Sequence, residues 1–189
     1  MISPKYGNDY RLDVETLPDG KKKDVKVYIG PYFESDESEA VHKKNRLFLL
    51  FSEIIFAVLL ILNMTFYTEL GKVWYVIVPF AVNVFAAYVF FESVAYFWPV
   101  RDKLTREQKE RGQDRLKQMS AVQAVLCMIS EVAGIITTGF LLASVSINDI
   151  VFCTLACVML LITVSQTLYL RKIDAKEIEN PLAKKWEKL

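Results

Sequence analysis

Three carboxylates sit where the sequence is otherwise apolar: Glu53, Glu92 and Glu131. An acid at the centre of a bilayer-crossing helix costs about 3 kcal/mol on insertion scales, so such residues turn inward, toward protein or a wet cavity. The stretches that hold them contain no Lys or Arg, so no salt bridge within a stretch offsets that cost. Three side chains of this type, unpaired, do one of two things. They take up protons or a cation, or they hydrogen-bond neighbouring helices and hold the bundle together. Counted from the cytoplasmic end of each stretch at the helical rise, Glu53 lies roughly 9 Å deep, Glu92 roughly 12 Å and Glu131 roughly 18 Å. All three therefore fall on one side of the membrane or near its midplane, and the expectation is a single polar cluster open to the cytoplasm. Asn83, Thr163 and Gln166 are the candidate polar partners. Gln166 is placed to pair with one of the glutamates, whereas Asn83 lies on the face of its helix opposite Glu92.

The elements that position these groups are four apolar spans, at about 47–66, 73–100, 119–145 and 150–170. The second is the clearest. As a helix it is roughly 42 Å long, enough to cross a hydrocarbon core of about 30 Å. Trp74 and Tyr75 at one end and Tyr96 and Trp98 at the other form an aromatic belt. Pro79 lies near its start, where a helix tolerates proline. In the third span, Gly134 with Thr138 and Gly139 with Ala143 are small residues at four-residue spacing, which allow close helix approach. Ser52-Glu53 in the first span is echoed by Ser130-Glu131 in the third, a faint sign of two related hairpins.

The polar segments set the orientation. Nine of the Lys and Arg residues lie in 1–46, seven in the basic loop 101–118 and six in the tail 171–189, against one, Lys72, in the two short turns. By the positive-inside rule both termini and the middle loop are cytoplasmic. Within 1–46, Tyr10, Leu12 and Val14 alternate with Arg11, Asp13 and Glu15, and Val25, Val27 and Ile29 follow the same period of two. Asp19-Gly20 lies between them, so a β-hairpin is expected over 10–29. It is either a loosely packed lead segment or a docking edge for a cytosolic partner. An acidic linker at 34–39 joins it to the membrane domain at 47–170.

Much chemistry is excluded by residue type. His42 is the only histidine and lies beside Lys43 and Lys44, so no acid–His–nucleophile set can form. Phosphate-binding loops, HExxH, CxxC and GxSxG are absent from the sequence. Cys127, Cys153 and Cys157 have no disulfide spacing. Cys153 and Cys157, one turn apart, read as structural thiols in preference to a soft-metal pair. Asn63-Met64-Thr65 matches a glycosylation sequon but falls at the end of a span. The first apolar run starts late and is too long for a cleaved leader, so none is expected. No basic surface for nucleic acid, no cofactor and no enzymatic activity is expected.

The reading is an all-α integral membrane protein with four transmembrane helices in two hairpins and a small N-terminal β-hairpin. Its expected function is that of a small carrier or ion- or proton-coupled transport protein using intramembrane glutamates. The alternative is a non-catalytic accessory or assembly subunit of a larger membrane complex. Four helices leave little room for a pathway, so beside the lipid bilayer a homo-oligomer or another membrane subunit is expected, in a bacterial plasma membrane. Paired alkaline phosphatase and fluorescent-protein fusions check the topology. Fusions at either terminus or within 101–118 should fluoresce and lack phosphatase activity, and fusions in the two short turns should show the reverse.

Overall fold

The computed structural model describes residues 4–16, 22–35, 38–65, 68–97, 103–141 and 145–180. The turn signal at 17–20, the ends of the first two spans at 66 and 98–100 (with Trp98), Ala143 and the tail beyond 180 with Pro181 lie outside the described residues. Among the described residues four helices are long and apolar enough to cross a membrane. They are α1 (Glu39–Thr65), α2 (Trp74–Phe97), α3 (Arg106–Phe140) and α4 (Ile147–Leu170). By length and composition the chain is a multi-pass membrane protein.

Two helix starts lie earlier than apolarity alone suggests, and capping explains both. At α3, the Thr105 side chain accepts from the Gln108 amide, and Gln108 Oε1 accepts from the Thr105 amide at 3.1 Å. The segment read as a basic loop is therefore helical from Arg106 onward. Across Gly112 it widens into a π-helical stretch, Lys109–Asp114. At α4, Ser146 Oγ accepts from the Asp149 amide at 3.2 Å, and Asp149 Oδ2 accepts from the Ser146 amide at 3.0 Å. A second π-helical stretch, Thr137–Leu141, ends α3.

The buried stripes of the helices repeat at spacings of three and four. On α4 the stripe is Asp149, Phe152, Ala156, Met159, Thr163, Gln166 and Leu170. On α3 it includes Leu116, Ser120, Gln123, Cys127, Ser130 and Gly134. On α1 it includes Leu49, Glu53, Phe56, Leu60 and Asn63. This is the pattern of helices packed nearly parallel, side chains of one fitting between those of the next. α3 packs along α2 and α4, and α1 along α4 and α2, which leaves α1 and α3 on a diagonal. One apolar layer joins Phe56, Phe80, Phe152 and Met159, with the rings of Phe80 and Phe152 5.1 Å apart. A second joins Leu49, Phe90, Leu116 and Leu170. Outward faces carry exposed apolar side chains such as Phe51, Ile61, Phe85, Val132 and Leu161, which suits hydrocarbon.

A separate compact unit comes from three distant stretches, residues 1–36, 101–110 and 174–189. Strands β1 (Tyr10–Thr16) and β2 (Lys22–Tyr28) form an antiparallel pair, with Tyr10 opposite Tyr28 and Val14 opposite Asp24. A second sheet places β3 (Tyr32–Ser35) between β4 (Leu104–Thr105) and β5 (Ala175–Ile178). The stretch read as the start of an acidic linker thus begins as a strand. Phe33, Leu104 and Ala175 make the core of this unit. Tyr28 ties it together, donating to Pro31 O at 2.7 Å and accepting from the Arg106 amide at 2.9 Å; burial pushes its phenol up to about 12.

At Gly112 α3 passes close to the backbone of α2. A Cβ there would lie 3.1 Å from the Phe97 nitrogen and 3.3 Å from its Cα, both backbone atoms that cannot swing aside. Gly139 has nothing within 4 Å of the same position. Gly112→Val should therefore destabilise the bundle by about 1–3 kcal/mol through overpacking. Gly139→Ala should leave thermal melting in detergent essentially unchanged.

Candidate functional site

Glu53 lies on the buried stripe of α1 and is fully shielded, at 0 % exposure. Two amides meet it. Gln123 of α3 donates from Nε2 to Glu53 Oε1 at 2.8 Å, across the diagonal of the bundle. Gln166 of α4 donates from Nε2 to Glu53 Oε2 at 3.1 Å and to Ser52 Oγ at 2.9 Å. Ser52 Oγ in turn donates to Leu49 O at 3.1 Å. Each carboxylate oxygen thus has one neutral donor. The amide oxygens, Gln123 Oε1 and Gln166 Oε1, are buried without a hydrogen-bond partner. One helical turn away lies a second polar layer. Asn83 Nδ2 of α2 donates to Cys127 Sγ at 3.5 Å, and Thr163 Oγ1 donates to Leu160 O at 3.0 Å.

Polar groups continue along the bundle in both directions. Ser130 Oγ donates to Val76 O at 3.3 Å, and Asn63 Nδ2 to Phe152 O at 3.3 Å. Thr137 Oγ1 lies 3.2 Å from Tyr75 Oη. Toward the other end, Gln113 Nε2 donates to Ile173 O at 2.9 Å. Asn63, Asn83, Gln113, Gln123 and Gln166 share one habit: the amide nitrogen is bonded while the amide oxygen is buried and unpartnered. In a medium without water each such oxygen raises the energy of the closed bundle by kilocalories.

The other two glutamates stand elsewhere, so the single cluster expected from depth does not form. Glu92 is 40 % exposed, with Arg115 Nη1 3.5 Å from its Oε2. The basic partner comes from the segment read as loop, which α3 absorbs. At that exposure the pair contributes little stability. Glu131 is half-buried and its Oε2 is unpartnered. It lines a cleft of about 540 Å³ with Thr138, Asp149 and Cys153. Helical phase explains both departures. Glu92 precedes the buried Ser93 and Glu131 follows the buried Ser130, so each is turned about 100° off the stripe that faces the bundle axis. Of the predicted partners, Gln166 meets Glu53, whereas Asn83 and Thr163 belong to the neighbouring layer. Among the described residues no three His, Cys, Asp or Glu side chains gather as a metal site. The three cysteines are free thiols, Cys127 buried and Cys157 exposed. His42 packs on the Phe97 ring, with centroids 4.6 Å apart.

Sequence reasoning by single residues misses Gln123. Its signal is a pattern: Ser120, Gln123, Cys127 and Ser130 repeat at spacings of three, four and three, a polar stripe along an otherwise apolar helix. Comparison with protein-family models, curated proteins and solved structures finds no match to this chain. Gln123→Leu should cost about 2 kcal/mol, because a buried carboxylate oxygen then lacks its donor. Adding Glu53→Leu should return part of that loss, since removing both partners relieves the unmet charge. Thermal melting of the single and double variants in detergent measures both.

Proposed function

We propose that this protein is a small ion- or proton-coupled carrier and that Glu53 is the group that takes up the coupling ion or proton. One observation supports the reading above the rest: a fully buried carboxylate whose hydrogen-bond partners are two neutral amides, each with an unpartnered oxygen. The nearest charged residue on the buried stripe of α1 is Arg46, two turns away and about 10 Å along the axis. A carboxylate so placed changes its surroundings whenever it gains or loses a positive partner, which is what coupling requires. The remaining parts of the proposal are cytoplasmic termini, a bacterial plasma membrane, and a homo-oligomer or partner subunit that completes the pathway. No enzymatic step is proposed.

A second reading, an accessory subunit, draws on the small strand unit. Among the described residues β1 pairs only with β2, and Leu12 and Val14 on β1 are 67 % and 54 % exposed. A strand with one apolar face exposed suits a partner that adds a strand.

Purified protein in liposomes loaded with a pH-sensitive dye tests the carrier reading. Under an imposed potassium diffusion potential the wild type should move protons or counter-cations faster than empty liposomes. Glu53→Gln should abolish that flux, and Glu92→Gln should retain it. Wild-type flux equal to the empty-liposome leak would reject the carrier, and loss of a co-purifying subunit on deletion of residues 1–33 would then support the accessory role.

A further inference from the structure

The hairpin of β1 and β2 has two unlike edges. The Ile29 amide donates to Asp9 O at 2.8 Å, just outside the ladder that pairs Tyr10 with Tyr28. Bonded positions alternate along an antiparallel pair, so Arg11 and Asp13 turn their backbone groups toward β2, and Tyr10, Leu12 and Val14 turn theirs to the other side. Among the described residues no strand pairs with β1 there. The Val14 amide is met instead by the carboxylate beside it, Asp13 Oδ1, at 2.8 Å. Charge also separates the edges. Lys23 and Lys26, both exposed, protect β2 against a further strand, whereas β1 contains no lysine and no proline.

We propose that β1 pairs antiparallel with β1 of a second copy of this chain, in a two-fold register centred on Leu12. The run Tyr10-Arg11-Leu12-Asp13-Val14 complements its own reverse. Leu12 meets Leu12 of the second copy, Arg11 meets Asp13 at two places, and Tyr10 meets Val14 at two places. The Arg11–Asp13 pairs fall at positions without backbone bonds, where facing side chains approach most closely. Centring the contact on Arg11 or on Asp13 sets like charges against each other. Successive side chains alternate in face, so Leu12 and Val14, exposed in one copy, join Tyr10 in an apolar stripe across the joint. A two-fold contact of this kind closes on itself and stops at a dimer. It supplies the contact for the homo-oligomer of the carrier reading, and its test does not depend on flux through Glu53.

Charge reversal in the full chain tests the register. Copies with two different tags are co-expressed, extracted in mild detergent and recovered through one tag, and the mass of the particle is measured. Wild-type copies should co-purify as a dimer. Arg11→Asp alone sets two carboxylates against each other at both pairs, and Asp13→Arg alone sets two guanidinium groups there, so each should self-associate several-fold less than the wild type. An Arg11→Asp copy with an Asp13→Arg copy restores opposite charges at both pairs and should co-purify at the wild-type level. Both positions are exposed, so thermal melting of the variants should match the wild type. Wild-type particles of monomer mass, open-ended polymers, self-association of either single variant at the wild-type level, or a mixed pair no better than the single variants would each overturn the proposal. So would a wild-type particle that holds one copy and a foreign subunit.

Discussion

A carboxylate at the centre of a membrane bundle must be met by donors from the helices around it, and the bundle cannot close without them. Glu53 is met by Gln123 from the diagonal helix and Gln166 from an adjacent one. The consequence is geometric. α1, α3 and α4 have their relative heights fixed by two hydrogen bonds, because a shift of α3 by one residue would carry Gln123 off the axis by about 100°. Apolar side chains give no comparable register between helices in lipid, where hydrocarbon outside is as good a solvent as hydrocarbon inside. The phenylalanine layers at Phe80 and Phe152 and at Phe90 fill the space that this register defines.

The seam is unequally polar. On α3 the buried stripe starts at Leu116 and then runs through Ser120, Gln123, Cys127, Ser130 and Gly134, whereas on α2 the small or polar Asn83, Ala86, Ala87 and Ser93 are interleaved with the bulky Val76, Phe80, Phe90 and Phe97. A large apolar side chain locks into one hole and resists sliding. Small hydroxyls and amides exchange partners at modest cost, and typical interhelical hydrogen bonds contribute only about 0.6 kcal/mol in a membrane. α3 therefore brings the more polar and less bulky face to the seam. The π-helical stretches at its two ends, Lys109–Asp114 and Thr137–Leu141, mark local departures from regular helix, a feature frequent at functional positions.

How much of this is legible in the sequence differs from residue to residue. The four helices follow from composition, since long apolar runs in a hydrocarbon core without water must satisfy their backbone hydrogen bonds within the segment. The strand pair follows from the alternation of Tyr10, Leu12 and Val14. Depth along a span is also legible, but azimuth is not: Glu92 and Glu131 have suitable depths and lie about 100° away from the axis because Ser93 and Ser130 occupy it. One residue of phase decides whether an acid faces the bundle centre, a neighbouring arginine or a lateral cleft, and only packed partners fix that phase. The pairing of strands β3, β4 and β5 is illegible for another reason. Their residues are separated by whole membrane spans, and no local pattern joins Phe33 to Leu104 or Glu177.

Glu53 and Glu131 thus hold different positions in one framework, the first in the axial layer and the second at the side of α3. They are connected through two rigid elements. On α3, Gln123 and Glu131 are eight residues apart, about 12 Å along the axis. On α4, Gln166 and the cleft residue Cys153 are thirteen residues apart, about 20 Å. A helix transmits rotation and translation along such distances with little loss. Any event that repositions Gln123 and Gln166 about Glu53 also changes the separation of the cleft walls, because those walls are the same two helices. The donors to the axial acid and the walls of the lateral cleft are thus carried on the same two helices, α3 and α4.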